Sequence, residues 1–265
     1  MGRLTIFAKG NLDVRDSLHS FKIDGKVLWN GINEIVRDRF PGTVVRLRHE
    51  TCTRSDALLG LPSVVPPELV SRRLPLEPSP LSAQFSPALF EADCDVIALS
   101  IQPDLSTRLV RHRRDGYLLY PANAKNWTAT DRQWLRDEFD FLDPLDVDVS
   151  MSNFEKIIAR IRERSAVPIL VYNVSAVVPG ESIHCHQGLD EILSTRIRKF
   201  NVALAELSQR TGISVIDVDS IVARAGADRL KVDATHLTAE GSRLVAEEVV
   251  RVLDDLGCFS TAEPH

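Results

Sequence analysis

The sequence is poor in the features that mark disulfide scaffolds, membrane proteins and nucleic-acid-binding proteins. It has 4 cysteines in 265 residues and no Cys-x-x-Cys pair, which excludes a cysteine-stapled scaffold. No apolar run approaches the roughly 18 residues that a membrane-spanning helix needs. The 32 basic and 37 acidic residues give a net charge of -5, which provides no attraction to nucleic acid or an anionic membrane. At 44% apolar and 26% charged residues, the chain has the composition of a soluble globular protein.

Signals for secretion and for common cofactors are also missing. The apolar run Leu4 to Ala8 is too short for a secretory signal, so we expect a cytoplasmic protein with reduced thiols. His184, Cys185 and His186 lie together, but no matching ligand pair occurs elsewhere, so no metal is predicted. No Gly-x-Gly-x-x-Gly or phosphate-loop motif follows a strand, which disfavours nucleotide cofactors, and none is predicted.

Five short segments rich in β-branched residues recur along the chain, and each is typical of a buried strand. They are Leu4 to Ala8, Thr43 to Arg48, Asp95 to Ile101, Val167 to Tyr172 and Ile213 to Val218. Amphipathic helical patterns alternate with them. This alternation predicts an α/β protein with a parallel sheet covered by helices on both faces, and a site at the carboxyl ends of its strands.

Four helical patterns are clear. Each is defined by its apolar face and by a start or stop signal: Val27 to Val36, ending before Pro41; Phe154 to Ile161, with Ser152 and Glu155 as a capping box; Leu189 to Gln209, stopped by Gly212; and Ala239 to Leu256, capped by Thr238.

Two segments interrupt this alternation within what we interpret as a single domain, residues 1–265. Residues 62–87 hold seven of the 14 prolines and predict an irregular surface excursion. Residues 104–150 form a long connection after the third strand and predict a lid or substrate wall, packed by its tryptophans. Arg108 and Arg111 near its start either form a solvated face or bind a substrate carboxylate or phosphate.

The strongest chemical signal lies between the fifth strand and the last helix. Asp233 precedes His236 by three residues, so its carboxylate can fold back to orient the imidazole, as a general base requires. The alternative is that Asp233 caps a turn and His236 packs at the start of the helix. Ser17 follows the first strand and is the matching candidate, since a serine needs such a base to become a nucleophile.

With these residues, Asp233 to Gly241 in particular, the sequence resembles the SGNH/GDSL hydrolases. The resemblance implies a flavodoxin-like, three-layer α/β/α sandwich with a five-stranded parallel sheet. It also implies Ser17 as the nucleophile within Asp16-Ser17-Leu18, His236 as the base and Asp233 as the residue that orients it.

The sequence departs from the family pattern in all three earlier blocks. The family has glycine directly before Asp-Ser and directly after the strand, whereas here Arg15 precedes Asp16. A second register places Gly10, Asn11 and Leu12 at the end of the strand and leaves no nucleophile there.

The second block lacks its oxyanion-hole glycine between Glu50 and Leu59, and the third lacks its asparagine. Gln102 is the obvious substitute donor, because its side-chain amide can donate from nearly the same place. Asn173, at the end of the fourth strand, and the N–H of Ser17 are further candidates.

The sequence therefore predicts a serine-dependent acyl hydrolase or acyltransferase acting on a small acylated molecule that is free or carrier-bound. Two alternatives stay open. The first is a repurposed site of this fold that performs acid/base chemistry or group transfer without an acyl-enzyme. The second is a binding protein that has kept the fold without catalysis.

Overall fold

Five parallel strands form the central sheet in the computed structural model, which describes residues 2–179 and 191–259. Their order across the sheet is β10-β9-β5-β1-β4. The strands of the sheet are β1 (Gly2–Lys9), β4 (Thr43–Glu50), β5 (Val96–Ser100), β9 (Ile169–Tyr172) and β10 (Ser214–Ile216). In sequence order this is the flavodoxin-like arrangement 2-1-3-4-5, in which the crevice for ligands lies between the first and third strands. The predicted fold class is confirmed, and each predicted strand overlaps an observed one.

Helices cover both faces of the sheet because consecutive strand residues point to opposite sides. On one face, Ile97 and Leu99 of β5 pack with Ile157, Phe200 and other apolar residues of α9 and α10. On the other face, Val96 and Ala98 pack with apolar residues of α2 and α13. The helices are α1 (Leu12–Leu18), α2 (Ile32–Arg39), α3 (Ser55–Leu59), α4 (Pro67–Arg72), α5 (Leu81–Gln84), α6 (Ala88–Glu91), α7 (Gln102–Ser106), α8 (Ala129–Glu138), α9 (Val147–Arg162), α10 (Leu193–Thr211), α11 (Val218–Ala225), α12 (Ala227–Leu230) and α13 (Ala239–Asp255), with a 3₁₀ turn at Ala124–Asn126.

The ends of the last two long helices follow the sequence signals. Thr238 caps α13 by accepting a hydrogen bond from the N–H of Gly241. Gly212 ends α10 in the left-handed region, with a φ of 65°. The predicted start of α10 at Leu189 lies outside the described residues. Ser152 does not begin α9, which starts one and a half turns earlier at Val147.

The first predicted helix is shorter than its apolar pattern suggested. Val27 lies in β3 (Lys26–Trp29), which pairs with β2 (Phe21–Ile23) in an antiparallel hairpin. Asp24 and Gly25 form the turn, both with positive φ, and an Asp-Gly pair favours that two-residue turn strongly. Only the second half of the pattern, Ile32–Arg39, is helical.

The two interrupting segments fold against each other. Residues 104–150 contain a small antiparallel sheet in the order β7-β6-β8 and the helix α8. The strands of this small sheet are β6 (Val110–His112), β7 (Leu118–Leu119) and β8 (Phe139–Phe141). The proline-rich excursion contains α4 and α5, and its residues Leu69 and Phe85 share an apolar core with Trp127 and Trp134 of the longer segment. Both tryptophans pack inside the lid, as predicted.

Buried arginines tie this lid to the main sheet. Arg54, just after β4, forms a bidentate pair with Asp56 at 2.6 and 3.1 Å. Its remaining nitrogen donates to the carbonyls of Asp143 and Thr107 at 2.6 and 3.3 Å. Arg196 on α10 donates to the carbonyl of Leu105 at 2.6 Å. The lid is therefore held in place over the carboxyl ends of the strands.

Candidate active site

Three loops meet where β1 and β5 lie side by side at the centre of the sheet. Asn11, which follows β1, donates a 3.1 Å hydrogen bond from its amide to Oε1 of Gln102, which follows β5. The carbonyl oxygen of the same Asn11 side chain accepts from the N–H of Cys52, beyond β4, at 3.2 Å. Asn11 thus fixes the loops after three neighbouring strands at the crevice that this topology creates.

The Asp233–His236 pair has the geometry of a supported general base. His236 Nδ1 lies 2.7 Å from Asp233 Oδ2. The other oxygen of Asp233 accepts from the N–H groups of Thr235 and His236, both at 2.9 Å. A carboxylate only accepts, so Nδ1 carries the proton and Nε2 is left with a free lone pair. Partial burial opposes ionisation of Asp233, but the hydrogen bonds from His236 and the two N–H groups outweigh it and lower the pKa of Asp233 to about 2.

Lys231 holds this loop against the rest of the sheet. Its ammonium group is buried and donates to the carbonyls of Ala234, Ser175 and Val177. Burial lowers the pKa of Lys231 to about 8, although nearby Asp219 and Asp233 oppose the shift. The three carbonyls connect the His236 loop to the loop that follows β9, so the position of the imidazole is set by the fold.

A cavity of about 280 Å³ opens beside His236. The loops after β1, β4 and β5, the proline-rich excursion, the lid and the His236 loop all contribute to its wall. Its lining residues are Asn11, Leu12, Asp13, Arg15, His49, Thr51, Pro78, Ser79, Gln102, Tyr120, Thr235 and His236. Most of them are polar, and the volume suits a small group rather than a long apolar chain.

Ser17 is not in this cavity, and the structure corrects its predicted role as nucleophile. It lies in α1 and is fully buried. Its hydroxyl is 2.9 Å from the carbonyl of Val14 and 3.1 Å from the hydroxyl of Tyr172, on the inner face of the helix. A hydroxyl enclosed in the core cannot attack a substrate in the cavity, and the N–H of Ser17 lies within the same helix rather than at an oxyanion position.

The second register of the first block matches the structure. β1 ends at Lys9 and Gly10 follows directly, so Leu12 occupies the position of the family's serine and lines the cavity. Glycine is needed at position 10, since a Cβ there would lie 2.4 Å from the side chain of Val14. The cavity is therefore lined by His236, which pairs with Asp233, and by the apolar side chain of Leu12.

The two oxyanion candidates differ in their surroundings. Gln102 lines the cavity with His236, and no described residue accepts a hydrogen bond from its Nε2, which leaves this donor for a ligand. Asn173 is not among the residues that line this cavity, so its predicted oxyanion contact is not supported. Its amide donates to Asp217 at 2.8 Å and its oxygen accepts from the N–H of Asp219 at 3.1 Å, so both ends fasten the start of α11.

Only one of the two candidate arginines lies near the cavity. Arg108 borders a wider opening next to the cavity, along with Gln102 and Tyr120. Arg111 is exposed on β6 of the lid and lines neither space, so its predicted substrate contact is not supported.

Sequence reasoning missed Asp13, Arg15 and His49, which line the cavity. His49 donates from Nε2 to the carbonyl of Gly10 at 2.8 Å, and Arg15 pairs with Asp16 at 2.7 Å. The signal that could have identified Asp13 was its place directly after Gly-Asn-Leu at the strand end.

Residues 2–179 and 191–259 contain neither a metal-binding cluster nor a membrane-spanning helix. No three His, Cys, Asp or Glu side chains in that part of the chain form a group suited to a metal ion. His184, Cys185 and His186 lie outside it. No helix within the same ranges is long and apolar enough to cross a membrane.

Comparison with solved structures identifies the fold. An acetylxylan esterase from Geobacillus stearothermophilus matches over 95% of this chain and 94% of its own, with a TM-score of 0.51 and 9% identity. The acetyl xylan esterase AlAXEase matches over 94% of this chain and 100% of its own, with a TM-score of 0.50 and 12% identity. A lipolytic G-D-S-L family protein from Veillonella parvula has a TM-score of 0.49 and 12% identity, over 94% of this chain and 98% of its own.

No protein-family model and no curated protein matches the chain. At these identities the two esterase matches, with TM-scores of 0.50 and 0.51, show a common fold. The fold is the one that the resemblance to the SGNH/GDSL hydrolases implied.

Proposed function

We propose that the protein is an acyl-ester hydrolase or acyltransferase in which His236 activates the attacking hydroxyl directly, without a serine-bound intermediate. One observation carries this proposal. His236, whose Nδ1 lies 2.7 Å from Asp233 Oδ2, lines the same cavity as Gln102. Leu12 also lines this cavity, at the position where the family has its serine. The base is kept and the nucleophile is replaced, so the nucleophile has to be water or the hydroxyl of a second substrate.

The attack uses the free lone pair of His236. As the water or acceptor oxygen bonds to the acyl carbon, its proton moves to Nε2, and the carboxylate of Asp233 stabilises the imidazolium that forms. The carbonyl electrons move to its oxygen, and Gln102 Nε2 donates a hydrogen bond to the oxyanion. The bond to the leaving oxygen then breaks, and a proton transferred to that oxygen completes the exchange.

The substrate class follows from the cavity and the fold. A small cavity lined by residues such as His236, Gln102 and Thr51, with apolar surface between their polar groups, suits a short acyl group on a polar carrier. Two structural neighbours are named as acetyl xylan esterases, which supports acetyl esters of sugar hydroxyls as the first substrates to test.

The test combines turnover with covalent labelling. The purified protein is assayed with 4-nitrophenyl acetate and acetylated xylooligosaccharide, and is treated with a serine-directed fluorophosphonate. We expect turnover without labelling, and a loss of about 100-fold or more in His236→Ala. Leu12→Ser should become labelled at position 12, because it places a hydroxyl in the cavity beside the base. Ser17→Ala is the matched serine control and should remain active.

Labelling of the wild-type protein with parallel loss of activity would overturn the serine-free mechanism. A second function is favoured by Leu12 itself, since losing the nucleophile also suits a protein that only binds acylated ligands. That function predicts no turnover of any ester, together with thermal stabilisation by an acetylated oligosaccharide.

A further inference from the structure

The cavity contains a carboxyl group that the mechanism above does not use. Asp13 follows Leu12 directly and lines the cavity with His236 and Gln102. The hydroxyl of Ser100, at the end of β5, donates a hydrogen bond to Oδ2 of Asp13. Oδ1 is buried and has no hydrogen-bond partner among residues 2–179 and 191–259. An unpaired carboxylate oxygen held away from water is unfavourable, so a group in this position requires an explanation.

Asp104 shows what a structural buried carboxyl in this protein looks like. One of its oxygens accepts from the N–H of Ser55 at 2.7 Å, and the other accepts from the hydroxyls of Ser55 and Ser150 at 2.5 and 2.6 Å. Both oxygens are satisfied, and they join α3, α7 and α9. Asp13 has one oxygen occupied and the other without a partner, so packing alone does not account for it.

A proton on the unpaired oxygen removes the buried negative charge and makes that oxygen a hydrogen-bond donor. Burial raises the pKa of Asp13, although the hydrogen bond from Ser100 and the nearby backbone N–H groups of Asn11, Asp13 and Val14 oppose the shift. The neutral acid then has an O–H donor to offer while Oδ2 keeps its bond from Ser100. Cleavage of an ester of a poor leaving group requires both a base that takes a proton and an acid that gives one.

We propose that Asp13, in its protonated form, gives its proton to the leaving oxygen as the acyl C–O bond breaks. This inference rests on the proposed function. The electron pair of the breaking bond goes to the leaving oxygen, which takes the proton of Asp13 and departs as an alcohol. The proton that His236 took from the attacking hydroxyl returns to the Asp13 carboxylate through solvent. One water or acceptor hydroxyl is consumed, and nothing is oxidised or reduced.

The inference is tested with two acetyl esters that differ only in their need for an acid. The 4-nitrophenolate of 4-nitrophenyl acetate leaves readily without a proton, whereas the sugar alkoxide of acetylated xylooligosaccharide does not. Asp13→Asn should lower kcat on the sugar ester by about 100- to 10,000-fold and on the aryl ester by less than about 10-fold. Asp104→Asn is the matched buried control, and any loss there should be equal for the two esters.

A measurement on the wild-type protein covers the case in which Asp13→Asn does not fold. The ratio of the sugar-ester rate to the aryl-ester rate should fall as pH rises, because only the sugar ester needs the protonated acid. A group whose protonation changes the rates on both esters by the same factor does not change this ratio. Among the described residues, the charged and titratable groups around Asp13 are Arg15, His49, Cys52, Tyr120, Tyr172, Lys231 and His236.

The outcomes separate the two proposals. Equal losses on both esters in Asp13→Asn, or a pH-independent ratio in the wild type, would overturn the role of Asp13 and leave the role of His236 intact. A wild-type protein that turns over neither ester would overturn both.

Discussion

Replacing Asp233 by asparagine tests the acid–base pair with almost no change of shape. One oxygen of Asp233 accepts two backbone N–H groups at 2.9 Å, and the other faces His236 Nδ1 at 2.7 Å. An asparagine keeps its oxygen on the two N–H donors, because its amide group would repel them. The amide therefore points at Nδ1 and donates to it. This moves the ring proton to Nε2, where the lone pair that accepts the substrate proton is lost.

The expected cost is that of a general base held in the wrong tautomer. We expect kcat for acetylated xylooligosaccharide to fall by about 100- to 10,000-fold, or ~2.7 to ~5.4 kcal/mol in activation free energy. Stability should change little. The side chain of Asp233 is 52% exposed, and exposed ion pairs contribute at most about 1 kcal/mol. Steady-state kinetics and thermal unfolding of the same preparation measure the two effects.

Asp115→Asn is the matched control. His112 and Asp115 repeat the three-residue spacing of a His and an Asp, with Nδ1 3.3 Å from Oδ2, on the lid and outside the cavity. This variant should keep wild-type kinetics. Asp233→Asn with kcat within about threefold of the wild type, alongside an inactive His236→Ala, would show that Asp233 only shapes the turn.

Three further substitutions test the packing around the site. Ser17→Ala should keep full activity and lose about 1–3 kcal/mol in urea unfolding, because the hydroxyl of Tyr172 loses its buried partner. Arg54→Met should cost about 3–5 kcal/mol by the same measurement, because it leaves Asp56 without its buried partner and frees two lid carbonyls. Thr238→Ala should cost about 1 kcal/mol in thermal unfolding, through loss of the cap on α13.

The sheet could be predicted closely because its signals are local. A strand buried on both faces has to be apolar throughout, and β5 reads Val-Ile-Ala-Leu-Ser with every residue buried. The hairpin at Asp24-Gly25 was missed for a related reason. Its apolar residues mimic a helical period, and only the turn pair distinguishes the two structures. The short helices and small sheet of the lid depend on a shared core between distant segments, which no local pattern reveals.

The site was predictable only where its geometry is set within a few residues. Asp233 and His236 are three residues apart in one loop, and that spacing is enough to bring them together. The position of the nucleophile depends on the residue at which β1 ends. A strand end at Lys9 places Leu12 in the cavity and turns Ser17, more than one helical turn later, into the core. The burial of Asp13 Oδ1 without a partner is set by atoms from several elements, so no local pattern predicts it.

Stability measurements on Asp13→Asn test the state of this carboxyl without any substrate. Burial raises the pKa of Asp13 above its ordinary value of 3.8, so between the two values the folded protein holds a proton that the unfolded chain releases. The free energy of unfolding therefore falls as pH rises through this window, and the effect is absent below it. Asparagine does not titrate. The stability of Asp13→Asn relative to the wild type should grow as pH rises from about 4 and then level off.

Urea unfolding of both proteins from about pH 4 to about pH 8 measures this difference. Titrations of the surrounding groups occur in both proteins and largely cancel. A difference that stays constant across the range would mean that Asp13 is ionised as freely as in the unfolded chain, and such a group could not supply a proton to the leaving oxygen. A growing difference would mean that the fold gives up stability to hold this acid beside the base, as active sites commonly do.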